Sequence, residues 1–165
     1  MLAFNSSAIR RTTLSLTIGR QVMPYDGKNN NKPINQMIIQ VVDDEFDIVN
    51  VIKLYLQQIG FNAVGFTDSS LAFEHFRINC TNCMLVISDI RMPGMNGFEF
   101  VRKIREINTA VKVLLMSAFE INSTELSAGL GEAKIDGFIQ KPVALHELNK
   151  MVQERLEMKP KSMRI

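Results

Sequence analysis

The sequence has few of the residues that define several common protein classes. Its 165 residues include no Trp, two Tyr and two Cys. Two cysteines are too few for the disulfide framework of a small secreted domain, and the CxxC pair of Cys80 and Cys83 supplies only two of the four ligands of a structural zinc site. No apolar run reaches the ~18 residues that a membrane-spanning helix needs. We therefore expect a cytoplasmic protein with free, reduced cysteines and no membrane segment.

A strong charge of either sign is also missing, because 19 basic residues face 17 acidic ones. The balance is uneven: residues 1–36 hold five basic residues and one acidic residue, which leaves 14 basic and 16 acidic residues for the remainder. A mildly acidic remainder does not favour a nucleic-acid surface. Residues 1–36 also lack the hydrophobic periodicity of a helix or a strand, so we expect a flexible basic extension. If translation began at Met23, residues 1–22 would not be part of the protein.

The sequence from Met37 onward alternates apolar runs with amphipathic helical patterns, which predicts a parallel α/β fold. Five strand–helix units fill residues 37–158, leaving a basic tail at 159–165 that is too short for a DNA-binding output domain. The predicted strands are Met37–Val42, Asn62–Phe66, Met84–Ser88, Val111–Met116 and Gly137–Ile139, and the predicted helices are Glu45–Ile59, one from about Asp68 to Asn79, one with Phe98, Val101, Ile104 and Ile107 inward, Ser123–Leu130 and Val143–Met158.

Charged side chains follow three of these strands. Asp43 and Asp44 come after the first strand, Asp89 after the third, and Lys141 after the fifth. Open α/β sheets bind ligands at the carboxyl ends of their strands, so these groups should share one crevice. Three close carboxylates cannot all stay ionised unless a cation joins them, and a hard divalent ion such as Mg²⁺, or Mn²⁺ in its place, prefers oxygen ligands. The pattern therefore predicts a site for phosphoryl chemistry.

Three further features complete a recognisable set. Ser117 follows the fourth strand, Phe138 lies in the fifth, and Pro142 comes directly after Lys141. Together with the acids, these residues resemble the receiver domain of response regulators in two-component signalling, over roughly Met37 to Met158. The resemblance implies a flavodoxin-like, doubly wound five-stranded parallel sheet in the order 2-1-3-4-5, with five helices.

The resemblance also implies how the acids divide the work. Asp89 would be the phosphoacceptor, whose carboxylate attacks the phosphorus of a phosphohistidine on a partner. Asp44 and Asp89 would bind Mg²⁺ directly, Asp43 directly or through water, and the backbone carbonyl of Arg91 would complete the protein's share. The ion would offset the charge of the acceptor and of the phosphoryl oxygens.

The remaining residues would bind the phosphoryl group and report its presence. Lys141 and Ser117 would contact phosphoryl oxygens, and a cis peptide bond before Pro142 would turn the lysine toward the site. Ser117 would move inward and Phe138 would follow it. That movement would change the surface formed by the fourth helix, fifth strand and fifth helix.

The implied partner is a sensor histidine kinase or a histidine phosphotransfer protein. We expect the chain itself to be a monomer or weak dimer, and not a turnover enzyme. Two alternatives remain open. One is a haloacid-dehalogenase-like phosphatase, which also uses an Asp nucleophile and Mg²⁺, but with the nucleophile after the first strand. The other is a binding module of the same fold that is not phosphorylated.

Overall fold

The structure, a computed structural model, describes residues 36–157. The expected N-terminal extension, apart from Gln36, and the expected C-terminal tail lie outside the described residues. Strands and helices alternate along the described chain. The strands are β1 (Ile38–Val42), β2 (Asn62–Phe66), β3 (Cys83–Asp89), β4 (Lys112–Ser117) and β5 (Gly137–Gln140), and the helices are α1 (Phe46–Gln58), α2 (Ser69–Asn79), α3 (Gly97–Ile107), α4 (Ser123–Leu130) and α5 (Leu145–Arg155).

All five strands are parallel and form one sheet in the order β2-β1-β3-β4-β5, which confirms the predicted topology. Helices cover both faces. On one face α1 and α5 pack against side chains such as Ile39 and Leu85, and on the other α2, α3 and α4 pack against side chains such as Val86 and Leu115. Coverage on both sides explains why the strands are continuous apolar runs rather than alternating ones.

The inward face of α3 differs from the prediction. Phe100, Val101 and Ile104 are fully buried, whereas Ile107 is 38% exposed and Phe98 is only partly buried. The buried residues, with Gly97, follow the i, i+3, i+4, i+7 spacing of a single helix face. Phe98 still packs against the core as predicted, so the difference is that the prediction left out Phe100 and wrongly placed Ile107 inward.

The strand and helix ends also shift slightly. β3 and β4 each extend one residue further than predicted, so that Asp89 and Ser117 are the last residues of their strands. The last helix is shorter than predicted, since Ala144 has extended backbone angles and Glu157 has a φ of 54° in the left-handed region. The extra strand residues place both side chains at the carboxyl rim of the sheet.

Candidate functional site

Three carboxylates meet at the carboxyl end of two neighbouring strands. Val42 pairs with Ser88, so Asp43 and Asp44, which follow β1, lie beside Asp89 at the end of β3. One oxygen from each of the three carboxylates lies within 4.8 Å of the others. Asp43 and Asp89 are buried, while Asp44 is exposed. The predicted gathering of acids is therefore present in the fold.

Lys141 reaches the same place from the end of β5. Its ammonium nitrogen Nζ lies 2.7 Å from Asp43 Oδ2, 2.9 Å from Asp89 Oδ1 and 3.6 Å from Glu45 Oε1. The backbone N–H of Lys141 donates to the carbonyl of Ser117 at 2.8 Å, and the peptide bond from Lys141 to its proline is cis. One ammonium is thus placed between two buried carboxylates.

The electrostatics of this cluster are set by burial as much as by pairing. Burial raises the pKa of Asp43, although the hydrogen bonds from Lys141 and from the N–H of Glu45 act in the opposite direction. For Lys141, burial alone would lower the pKa, but hydrogen bonds and charge from Asp43 and Asp89 raise it above the ordinary value. The raised pKa keeps the lysine protonated, and three carboxyl groups face this single ammonium.

The loop after β3 is tied closely to Asp89. The backbone N–H of Arg91 donates to Asp89 Oδ2 at 2.8 Å, and the N–H of Gly97 donates to the carbonyl of Ile90, also at 2.8 Å. A Cβ at position 97 would lie 2.2 Å from the Asp89 carbonyl oxygen, which only glycine avoids. This close approach keeps the loop folded beside the carboxylate.

The donor set suits a hard divalent cation. It consists of carboxylate oxygens from Asp43, Asp44 and Asp89, with the Arg91 carbonyl nearby in sequence, and it contains no sulfur or imidazole. Mg²⁺ and Mn²⁺ prefer such ligands, and Mg²⁺ usually keeps several waters in addition. The residues therefore fit the metal that the sequence predicts.

Ser117 ends β4, the strand next to β3 in the sheet, and its hydroxyl bonds to the backbone of its own loop. The Ser117 hydroxyl donates to the carbonyl of Phe119 at 2.8 Å and accepts from the Phe119 N–H at 3.1 Å. Phe138 pairs with Leu115 across the sheet and has an exposed side chain. Phe138 lies within the fifth strand as predicted, and Ser117 is the last residue of the fourth strand rather than the residue after it. The prediction did not identify the Phe119 backbone as the partner of the Ser117 hydroxyl.

Two contacts at the rim of the site were not predicted. The Arg91 guanidinium carbon lies 4.4 Å from the centre of the Phe119 ring, a cation–π contact between the loops that follow β3 and β4. Glu45 also approaches Lys141. Arg91 lies two positions after Asp89, and Phe119 two positions after Ser117, so the spacing shows that both flank the site without predicting that they stack.

The CxxC pair lies at the opposite end of the sheet. Cys80 follows α2 and Cys83 begins β3, and both are free thiols. Burial raises the pKa of Cys83 to about 12, which keeps it protonated and unreactive at neutral pH.

Among residues 36–157, no helix is long and apolar enough to cross a membrane.

Comparisons with known proteins agree on one family. Residues 39–153 match the family of the response regulator receiver domain. The regulatory protein VanRB of Enterococcus faecalis is 31% identical over 118 residues, which cover 72% of this chain and 51% of that protein. The chemotaxis protein CheY4 of Vibrio cholerae superposes with a TM-score of 0.64 at 25% identity, covering 72% of this chain and 98% of that one.

A further solved structure shows the same fold. The CheX–CheY complex of Borrelia burgdorferi, crystallised with beryllofluoride and Mg²⁺, superposes with a TM-score of 0.67 at 23% identity, covering 82% of this chain and 96% of that one. The chain spans only 14% to 51% of the length of the first curated relatives that it matches.

Proposed function

Because the chain belongs to the response regulator receiver domain family, we propose that it accepts a phosphoryl group on Asp89 from a phosphohistidine. The donor would be a sensor histidine kinase or a histidine phosphotransfer protein. The observation that carries this proposal is the position of Asp89: it ends β3 beside two further acids, and its Oδ1 lies 2.9 Å from the Lys141 ammonium.

The transfer is a displacement at phosphorus. A carboxylate oxygen of Asp89 forms a bond to phosphorus while the bond from phosphorus to the histidine nitrogen breaks, giving an acyl phosphate and a released imidazole. Asp44 and Asp89 would hold Mg²⁺ or Mn²⁺ with Asp43, directly or through water, and with the Arg91 carbonyl. When bound, the ion offsets the charge of the carboxylates and of the phosphoryl oxygens.

Lys141 and Ser117 act on the phosphoryl group once it is attached. The ammonium already lies 2.9 Å from the acceptor, so a phosphoryl oxygen added there comes within its reach. The Ser117 hydroxyl contacts another oxygen after it leaves the Phe119 backbone. Phe138 then moves toward the space that Ser117 leaves, which changes the surface formed by α4, β5 and α5.

This function makes the protein a signalling partner rather than a turnover enzyme. Its message passes by contact with another protein or by onward transfer, and we infer a cytoplasmic monomer or weak dimer that does not bind nucleic acid. The alternative of a haloacid-dehalogenase-like phosphatase needs its nucleophile after the first strand. Here the isolated acid, Asp89, ends the third strand instead, and adjacent acids follow the first.

The test is phosphorylation by a small donor. Incubation with acetyl phosphate and Mg²⁺, followed by intact mass measurement, should add one phosphoryl group to the wild-type protein and none to Asp89→Asn. Glu106→Gln is a matched control, since it makes the same change from carboxylate to amide at an exposed position of α3. Equal modification of Asp89→Asn would show that the acceptor is another residue, and an unmodified wild type would favour the binding module.

A further inference from the structure

The Ser117 hydroxyl is fully engaged by the backbone two residues further along. Its one hydrogen is donated to the Phe119 carbonyl at 2.8 Å, and its oxygen accepts the Phe119 N–H at 3.1 Å. A serine hydroxyl has a single O–H donor. Ser117 therefore cannot donate to a phosphoryl oxygen on Asp89 until its bond to the Phe119 carbonyl breaks.

The Phe119 side chain is in turn held by Arg91. The ring is 55% exposed, so burial does little to fix its position, and the guanidinium carbon of Arg91 lies 4.4 Å from the ring centre. The backbone N–H of the same arginine donates to Asp89 Oδ2. A continuous set of contacts thus runs from the acceptor through Arg91 and Phe119 to the hydroxyl of Ser117.

We propose that Arg91, Phe119 and Ser117 form a latch, in which Phe119 is a positioning residue that keeps the Ser117 hydroxyl away from the acceptor. The inference rests on the proposed function, because it concerns how readily Ser117 reaches a phosphoryl group on Asp89. Stacking of Phe119 on Arg91 stabilises the closed latch, and opening it frees the hydroxyl. The stack therefore sets the fraction of molecules in which Ser117 can turn inward.

The test measures the affinity for beryllofluoride with Mg²⁺ as a phosphoryl mimic. Phe119→Leu keeps an apolar side chain but removes the aromatic face, so beryllofluoride should bind roughly two- to fivefold more tightly, the range expected for an exposed cation–π contact. Phe119→Tyr keeps the face and should match the wild type. Phe73→Leu is a matched control, because it removes the ring beneath Lys103 at 5.7 Å.

A second background separates the latch from a general loosening of the loop. In Ser117→Ala the hydroxyl is absent, so adding Phe119→Leu should leave the beryllofluoride affinity unchanged if Phe119 acts through Ser117. An equally large gain in that background would overturn the proposal, because the ring would then act by another route. Unchanged or weaker binding in the single variant Phe119→Leu would overturn it as well.

A third measurement does not depend on phosphorylation. Hydrogen exchange at the Phe119 backbone amide, without Mg²⁺ or beryllofluoride, should be faster in Phe119→Leu than in Phe119→Tyr, since that N–H donates to Ser117. If the wild type does not bind beryllofluoride but this difference in exchange is seen, the proposed function fails and the latch stands. Equal exchange rates in Phe119→Leu and Phe119→Tyr would overturn the proposed latch, whatever the result of phosphorylation.

Discussion

The two ends of the sheet both hold buried or half-buried charge, but they balance it differently. At the amino end Asp136 accepts hydrogen bonds from Arg105 at 3.3 Å, from Lys112 at 3.2 Å and from the N–H of Val113 at 2.8 Å. At the carboxyl end three carboxylates share one ammonium. At the amino end the single carboxylate has more than enough donors, since two cations and a backbone N–H share it, whereas at the carboxyl end the acids outnumber the ammonium and favour a further cation.

The amino end also shows that a large hollow does not by itself mark a site. A cavity of about 390 Å³ opens beside Arg105 and Asp136. Arg105 nevertheless donates to the carbonyls of Lys134, Thr109 and Val111 and to Asp136, and so connects α3 to the loop before β4 and to the segment before β5. The comparison therefore separates a structural network at one end of the sheet from the candidate functional site at the other.

The largest expected effect is the loss of metal binding at the carboxyl end. Asp44→Ala removes a proposed carboxylate ligand and should weaken Mg²⁺ affinity by at least about tenfold, as measured by titration calorimetry. Asp136→Asn removes a carboxylate at the other end and should bind Mg²⁺ like the wild type. If Asp44→Ala kept full affinity, Asp44 would not be a ligand and the contrast between the two ends would fail.

The next effect is on stability at the amino end. Asp136→Ala leaves the half-buried Arg105 without its carboxylate and Val113 N–H without an acceptor, so the free energy of unfolding should fall by about 2 to 3 kcal/mol. Urea unfolding measures this. Lys112→Met should cost less, because Lys112 is the more exposed partner. A loss equal to that of Lys112→Met would show that Asp136 is not the centre of the network.

A smaller effect, of opposite sign, is expected from Asp43. Its pKa is raised in the folded protein, chiefly by burial, so the folded state binds its proton more tightly than the unfolded state does. In metal-free wild type this carboxylate therefore lowers stability as the pH rises from the ordinary value of 3.8 through the raised pKa. Asp43→Asn should raise the metal-free Tm at pH 7, with roughly 4 °C corresponding to each kcal/mol.

The gain from Asp43→Asn should shrink below pH 3.8, where the wild-type carboxyl is protonated in both states. Thermal unfolding at several pH values with a chelator present measures it. A metal-free Tm at pH 7 that is lower than the wild type's would mean that pairing with Lys141 outweighs the cost of burying the carboxylate.

The smallest effect concerns the two cysteines. At pH 8, iodoacetamide should label Cys80 in the folded protein and leave Cys83 unmodified, because burial raises the pKa of the Cys83 thiol to about 12. Intact mass should show one adduct, and two after denaturation in urea. Loss of labelling on addition of zinc would instead indicate a metal site that the sequence does not favour.

The sheet order was implied by the resemblance to receiver domains. The acid cluster could be predicted from the residues, because it depends on which side chain follows which strand. Strand ends carry that information directly, so Asp43, Asp44, Asp89 and Lys141 could be brought together without coordinates. The hydrogen-bond direction of Ser117 could not be predicted, because a hydroxyl has local backbone partners that compete with distant ones.

The ion pairs at the amino end of the sheet could not be predicted from the sequence either. Arg105 is one of 19 basic residues, and nothing in its spacing indicates that it meets an acid on a segment 31 residues away. Ile107 was misplaced for a related reason, since a helical period does not tell which turn extends beyond the core. Ion pairs between distant residues, and the burial of a given helical turn, depend on how the chain packs and not on its hydrophobic pattern.

Lys141 gives the acid cluster a cation of its own, and this changes what binding a divalent ion means. An incoming ion competes with an ammonium that already lies 2.7 Å from Asp43 and 2.9 Å from Asp89. Binding a divalent ion would therefore weaken part of this pairing, so its net free energy would be the attraction of the ion to the carboxylates less the ammonium contacts that are lost. Such a partial offset would favour reversible binding, and the proposed function requires the ammonium to remain beside Asp89, within reach of an attached phosphoryl group.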